Sequence, residues 1–314
     1  MATTRARRGR RRWRRYSSRT FYLFASPWLL GFALLTALPL GYALAISLTN
    51  FDGRSSRWRW VGLRNYAELF GDVDALSSLV RTLVFTALAV PLMVAGGLGL
   101  AVLLNRRLRA VGLFRAIFFL PSVVPVVATA IMWKLIFNRD AGILNEVLDQ
   151  IGIPPISWLV DPNAFYALII LVLWGLGGGM VIMLAALQGV PVELEEAAIL
   201  DGANRWHVFR HITVPMISPV IFFQVVTGVI FTFQIVIQPL LLAQTREVGQ
   251  VTHVPESTHL FMVQVYEEYF ANNRYGYGSA MLWVFFLAIL VVTLIMLRSS
   301  RLWVHYEVDS EAER

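Results

Sequence analysis

Six long apolar stretches constrain this chain more than any other feature. They run approximately over residues 21–48, 79–104, 113–137, 164–188, 215–243 and 277–297. A helix that crosses a bilayer needs about 20 mostly apolar residues, so each stretch reads as one membrane-crossing helix. The last three carry no charged residue, and the others hold charge only near an end, at Arg81, Arg115 and Lys134, where a long side chain reaches the interface. The expected fold is an all-α polytopic membrane protein with about six spans. Only 15% of the 314 residues are charged and 57% are hydrophobic, against roughly 25% charged in an ordinary soluble domain. So few charges leave lipid to cover the apolar surface. Cysteine is absent, which excludes disulfides, thiolate metal sites and cysteine nucleophiles.

Charge in the connections sets the orientation. With the N-terminus inside, the inner segments 1–19, 105–115, 189–214 and 298–314 hold 18 Lys or Arg residues, and the outer segments 50–78, 138–163 and 244–276 hold 7. Cations concentrate on the cytoplasmic side of membrane proteins, so both termini are expected in the cytoplasm. Nine arginines and no acid occupy residues 1–19. Such an arm could meet nucleic acid, but the apolar segment that follows at once makes it a topology anchor. That segment exceeds the apolar region of a cleaved signal peptide. The expected organisation is a basic tail over 1–20, a first span over 21–49, an external loop over 50–78, a core over 79–298 and a second cytoplasmic tail over 299–314.

The connection after the fourth stretch, residues 189–215, reads GVPVELEEAAILDGANRWHVFRHITVP. Its grammar is helix, turn, helix. Pro191 suits a first helical turn, and Glu193, Glu195 and Glu196 suit the positive end of the dipole. Asp201-Gly202 supplies a turn in which glycine takes positive φ at little cost. Residues 203–211 form a second short helix, with Trp206, Phe209 and Ile212 spaced along one side and Pro215 ending it. Ala197, Ala198, Gly202 and Ala203 allow another surface to approach the backbone. A connector lying on the bilayer would carry a basic polar face; this one has four acids against two arginines. His207 and His211 have a spacing that can bind metal on a helix, but no third ligand is evident and a polar face is the expected role.

Glu196-Ala197-Ala198, then Gly202 after three residues, then Ile212, Val214 and Pro215, resembles the EAA loop of ABC importer permeases, whose usual pattern is E-A-A-x3-G-x9-I-x-L-P. Val214 stands where leucine is common. Asp201-Gly202-Ala203 and Trp206 resemble the carbohydrate branch. The run Ser47 to Asp52, the triplet Arg64-Asn65-Tyr66, and Gly112-Leu113-Phe114-Arg115 with Pro121 and Pro125 are similar to the sugar, polyol and glycerol-phosphate permeases. The resemblance implies the type I ABC importer fold, a core of five spans preceded by an extra first helix. It also implies two ABC ATPase subunits, a second homologous permease and an extracytoplasmic solute-binding protein, with no nucleic-acid partner. Glu196, Ala197, Ala198, Asp201, Gly202, Ile212 and Pro215 are then the residues expected to couple to the ATPases.

No Walker A sequence occurs, so ATP-Mg belongs to the partner ATPases and no cofactor is expected on this chain. Gly175-Leu176-Gly177-Gly178-Gly179 lies in an apolar span without the Lys-Ser/Thr of a phosphate loop and is expected to permit close packing or bending. Neutral polar and aromatic residues in the fourth and fifth stretches, Trp174, Gln224, Thr227, Thr232, Gln234 and Gln238, are candidates for an uncharged solute path or for helix–helix bonding. A sugar or oligosaccharide suits such a path. A self-sufficient secondary transporter or channel is the alternative, although such proteins usually carry ionisable groups in mid-membrane, and none stands there. No catalytic constellation is evident.

Overall fold

The computed structural model describes residues 18–54, 58–106, 109–243 and 253–304; the N-terminal arginine run up to Tyr16 and the last ten residues lie outside them. Sixteen α-helices are named here: α1 Ser18–Phe32, α2 Leu38–Ser47, α3 Arg64–Gly71, α4 Val73–Leu104, α5 Val111–Val123, α6 Val126–Ile136, α7 Ile143–Gln150, α8 Asn163–Trp174, α9 Gly177–Gln188, α10 Val192–Leu200, α11 Arg205–Val208, α12 Val214–Met216, α13 Ser218–Phe233, α14 Ile237–Leu242, α15 Phe261–Phe270 and α16 Tyr275–Ser299. The described residues form no β-strand, only an isolated antiparallel bridge between Thr49 and Trp60.

Three helical rods are long and apolar enough to cross a membrane by themselves, over Arg19–Ser47, Val73–Leu104 and Tyr275–Leu302. The first is continuous but widened. Pro39 has no N–H for the carbonyl of Leu35, and the helix relaxes into a π-turn over Ala33–Ala37, where the Leu38 N–H reaches Ala33 O, as inserted π-turns commonly do. This rod leaves Leu23, Phe24 and Leu35 more than 70% exposed, a surface suited to hydrocarbon rather than water.

The other three apolar stretches are broken, and prolines explain much of it. The stretch 113–137 turns by 101° between α5 and α6. Pro125 cannot donate a backbone hydrogen bond and forces Val124 into an extended conformation, φ −71° and ψ 133°, the expected restriction before proline. The stretch 164–188 bends by 48° between α8 and α9, where Gly175 and Leu176 separate the two helices. The fifth stretch divides twice. A bend of 66° falls at Ile217, before α13. Beyond Phe233 the helix stops, because Pro239 offers no N–H to Ile235 and its ring disfavours a continuous helix through that turn; the short α14 then runs separately. The six sequence stretches therefore appear as three rods and three bent pairs.

α4 is the central post, packed against α8, α9, α13 and α15. Its N-terminus is capped by Asp72, whose Oδ1 accepts from the N–H groups of Asp74 and Ala75 at 3.0 and 3.1 Å, a favourable arrangement. Three apolar clusters hold the bundle. One joins Phe85, Ala130, Phe137, Leu168 and Val263. A second stacks Phe233, Phe285 and Phe261, with ring centroids 5.6 and 4.6 Å apart in sequence. The third packs Leu104, Met180, Met183, Leu187 and Ile217 beside the 189–215 connection.

Candidate functional site

The 189–215 connection is a rigid elbow. Helix α10 starts at Val192 with Pro191 in the N-cap position, one residue earlier in role than the sequence suggested. It ends in a complete Schellman turn. Gly202 N–H donates to Ile199 O at 3.0 Å and Ala203 N–H to Ala198 O at 2.9 Å, with Gly202 at φ +89°. Both bonds and the positive φ are the signature of this cap. Asn204 then caps α11, its Oδ1 accepting from His207 N–H at 2.8 Å.

The second arm departs from expectation. It does not end at Pro215 but continues to Met216, through a π-turn over Phe209–Thr213. Pro215 lacks the N–H that His211 O would receive, and the ladder shifts register so that Val214 N–H reaches Phe209 O. That shift turns the arm. Val208 and Thr213 are buried, whereas Trp206 is 66% exposed, so the Trp206–Phe209–Ile212 stripe is not the buried face. The His207 and His211 rings stack 4.0 Å apart, and His211 Nδ1 lies 3.1 Å from His207 O.

Of the expected coupling residues, Glu196, Ala197, Asp201 and Gly202 are exposed, while Ala198, Ile212 and Pro215 are half-buried. Glu196 and Asp201 make no side-chain hydrogen bond or ion pair among the described residues. A Cβ built on Gly202 meets nothing within 4 Å, so the elbow tip is open. Sequence reasoning missed its internal strut. Thr213 Oγ1 donates to Glu195 Oε1 at 3.0 Å, joining the two arms across 18 residues with no local signal to find it.

The fourth-stretch glycines permit both close packing and a bend. A Cβ on Gly177 would fall 2.1 Å from Phe118 O, which brings α9 against α5, and one on Gly97 would lie 3.6 Å from the Gly179 backbone, at the α4–α9 crossing. Beside this crossing is a cavity of about 210 Å³ whose lining includes Gln224, Thr227, Gly179, Met93 and Phe231, with no charged residue. Gln224 Nε2 donates to Gly179 O at 3.0 Å, leaving the amide oxygen and one N–H for another partner. Trp174 stands at the α8–α9 bend, its ring edge-on to Trp133 at 5.6 Å; Trp133 Nε1 is buried without a partner among the described residues. The other candidates lie apart from the cavity. Thr232 is fully buried and its hydroxyl donates to Gly228 O and Val229 O. Gln234 is the exposed C-cap of α13, and Gln238 is buried in α14.

A bundle of lipid-suited rods with one rigid acidic elbow and an uncharged internal cavity defines a membrane transport component. The chain belongs to the family of binding-protein-dependent transport system inner membrane components, whose model matches residues 93–304. It is 37% identical to the probable ABC transporter permease protein YesP of Bacillus subtilis, over 92% of this chain and 93% of that protein. It is also 37% identical to the lactose transport system permease protein LacF of Rhizobium radiobacter, over 75% and 78% of the two chains. Its fold matches a chain of a bacterial ABC transporter involved in the import of the acidic polysaccharide alginate, with a TM-score of 0.76 at 21% identity, covering 90% of this chain and 96% of that one.

Proposed function

We propose that this chain is the permease subunit of an ATP-driven importer in the cell membrane, forming the pathway for a sugar or oligosaccharide delivered by an extracytoplasmic binding protein. Six spans, with bent pairs counted as single crossings, would put both termini on one side of the membrane, and the cation-rich connections support the cytoplasmic side. A second homologous permease completes the pathway, and two ABC ATPase subunits dock on the elbows and hydrolyse ATP-Mg, which they bind in place of this chain. The lactose permease relative favours a saccharide cargo, as does the uncharged cavity lining. Hydroxyls of a sugar suit the spare groups of Gln224 and Thr227, and its apolar ring face suits indoles such as Trp174 and Trp133.

The observation that carries this reading is connectivity. The elbow stands between α9 and α13, and these two helices meet in the cavity lining, where Gln224 Nε2 donates to Gly179 O. Displacing the elbow by docking Glu196, Ala197, Ala198, Asp201 and Gly202 against a closing ATPase therefore moves both helices that line the cavity, with Ile212 and Pro215 transmitting the motion into α13. The cavity is smaller than the about 300–1,000 Å³ common for ligand pockets, so passage of a saccharide requires the walls to part. Such rigid-body levers are an established form of switching.

The test is reconstitution of the purified chain in vesicles, with and without its genetically neighbouring permease, ATPases and binding protein. Saccharide accumulation is expected only from the complete set with ATP. Accumulation by this chain unaided would overturn the reading in favour of a secondary transporter.

A further inference from the structure

A second cavity, of about 600 Å³, lies on the inward side of the elbow, between it and the ends of α4 and α9. Its wall is apolar where it meets the bundle, at Val102, Leu187 and Phe209, and its rim carries Arg106, Arg205 and Trp206. Neither guanidinium has an ion-pair partner among the described residues. Glu195 also borders the cavity; its Oε1 accepts the Thr213 hydroxyl, and the two arginines leave the lining with a net positive charge. A third arginine stands next to the same end of α4: Arg115 Nη2 donates to Leu104 O at 2.9 Å, and its Nε is buried with no partner among the described residues. Arg115 does not border the cavity, but the two rim guanidinium groups that do, without an ion-pair partner among the described residues, suit an anion with several acceptor oxygens.

From this geometry we infer that the cavity is a binding site for an anionic phospholipid, whose phosphate sits between Arg106 and Arg205 and whose acyl chain lies along Val102 and Leu187. The inference rests on the membrane-spanning reading above. What selects a lipid over a soluble anion or an acidic peptide is depth. Val102 and Leu187 belong to apolar stretches that reach into hydrocarbon, whereas Arg106 and Arg205 belong to the polar connections beyond them. A phospholipid presents negative charge and hydrocarbon across that boundary in one molecule, and basic pockets between helices on the cytoplasmic side are suited to such headgroups. An exposed tryptophan at the rim is at home at that level. The docking residues Glu196, Ala197 and Gly202 do not border this cavity, so a lipid there leaves the elbow tip free. It would tie the elbow to the bilayer and fix its resting angle.

The experiment uses the full chain in phosphatidylcholine nanodiscs, titrated with phosphatidylglycerol brominated on its acyl chains. The readout is quenching of Trp206 fluorescence, taken as the difference between wild type and Trp206→Phe. Saturable quenching is expected, at least tenfold tighter for phosphatidylglycerol than for brominated phosphatidylcholine. Arg106→Gln and Arg205→Gln should each weaken it about fivefold and together roughly 25-fold, from the energy of one basic residue near an anionic surface, and Arg301→Gln, which does not border the cavity, should not. Arg106→Lys with Arg205→Lys keeps the charge and should retain most of the affinity if the glutamine pair fails to fold. Equal quenching by the two lipids, wild-type affinity in the folded glutamine pair, an equal loss in Arg301→Gln, or displacement of the lipid by soluble glycerol phosphate would each overturn the inference. No arm depends on transport, so its failure is separate from failure of the importer reading.

Discussion

Thr213 and Glu195 hold the two arms of the elbow together, hydroxyl to carboxylate at 3.0 Å. Thr213 is buried and Glu195 half-buried, so the bond is shielded on one side. It joins α10 to the segment that enters α13, making the elbow a triangle rather than a hinge. Thr213→Val keeps the shape and removes the donor. It should cost about 1.5–3 kcal/mol locally, as for hydrogen bonds to charged groups, and lower coupled ATP hydrolysis while leaving binding-protein affinity unchanged. Glu195→Gln keeps an acceptor and should fall between wild type and Thr213→Val. Equal coupling in all three proteins would remove the strut from the mechanism.

Gly202 has two separable roles. Its φ of +89° strains any residue with a Cβ, and the left-handed region costs roughly 1–2 kcal/mol. Nothing among the described residues blocks a Cβ there, so steric loss is expected from a docked partner. Asn tolerates the left-handed region better than Ala, so Gly202→Asn should be the more stable variant by thermal unfolding. Both should uncouple uptake from ATP hydrolysis, and Gly202→Asp should abolish uptake while leaving the protein inserted. Recovery of uptake in Gly202→Asn would mean that the backbone turn alone matters.

Neighbouring glycines in α9 should respond unequally to alanine. At Gly177 the new Cβ would fall 2.1 Å from Phe118 O, a backbone atom that cannot step aside, whereas at Gly178 the nearest atom is Ser122 Cβ at 3.8 Å. Gly177→Ala should therefore lose about 1–3 kcal/mol through overpacking and lower the unfolding temperature in detergent. Gly178→Ala should be nearly neutral. Equal unfolding temperatures would show that α5 and α9 separate easily.

The rods were readable from sequence because lipid imposes length and polarity on each crossing. The turn at Gly202 was readable because few residues but glycine accept that backbone. The breaks were harder. Pro121 sits inside α5 without ending it while Pro125 ends it, and hydropathy does not separate the two cases. The π-turns at Ala33–Ala37 and Phe209–Thr213 shift side chains by about one position, which defeats a stripe drawn at ideal helical spacing through Trp206 and Ile212. Thr232 and Gln224 look alike as polar residues on one helix, yet one is sealed in the core and the other borders a cavity. Which face a lone polar residue presents depends on neighbours distant in sequence. The same holds for Trp133 beside Trp174, and for Glu195 beside Thr213.

Glu268, in α15 outside the bundle rods, gives a pH-dependent prediction. It is 5% exposed, and burial raises its carboxyl above its ordinary value of 4.5, with Arg274 and Asn272 opposing and Asp72 and Glu68 adding to the rise. Arg274 Nη1 approaches Glu268 Oε2 at 3.3 Å and pairs also with Glu68; Asn272 and Gln264 donate at 3.1 and 3.4 Å. The folded protein thus holds this proton more tightly than the unfolded chain does. The stabilisation is complete below the ordinary value and is lost as pH climbs through the raised one, each unit of rise being worth about 1.4 kcal/mol. Glu268→Gln is neutral at every pH and removes the ionisation. The wild-type unfolding temperature should therefore fall relative to that variant as pH climbs from the ordinary carboxyl value through the raised one, and the gap should level off once the carboxyl is ionised. A gap moving the other way would mean that attraction to Arg274 outweighs burial, and the two carboxylates around that guanidinium would then act as a clasp that strengthens on ionisation.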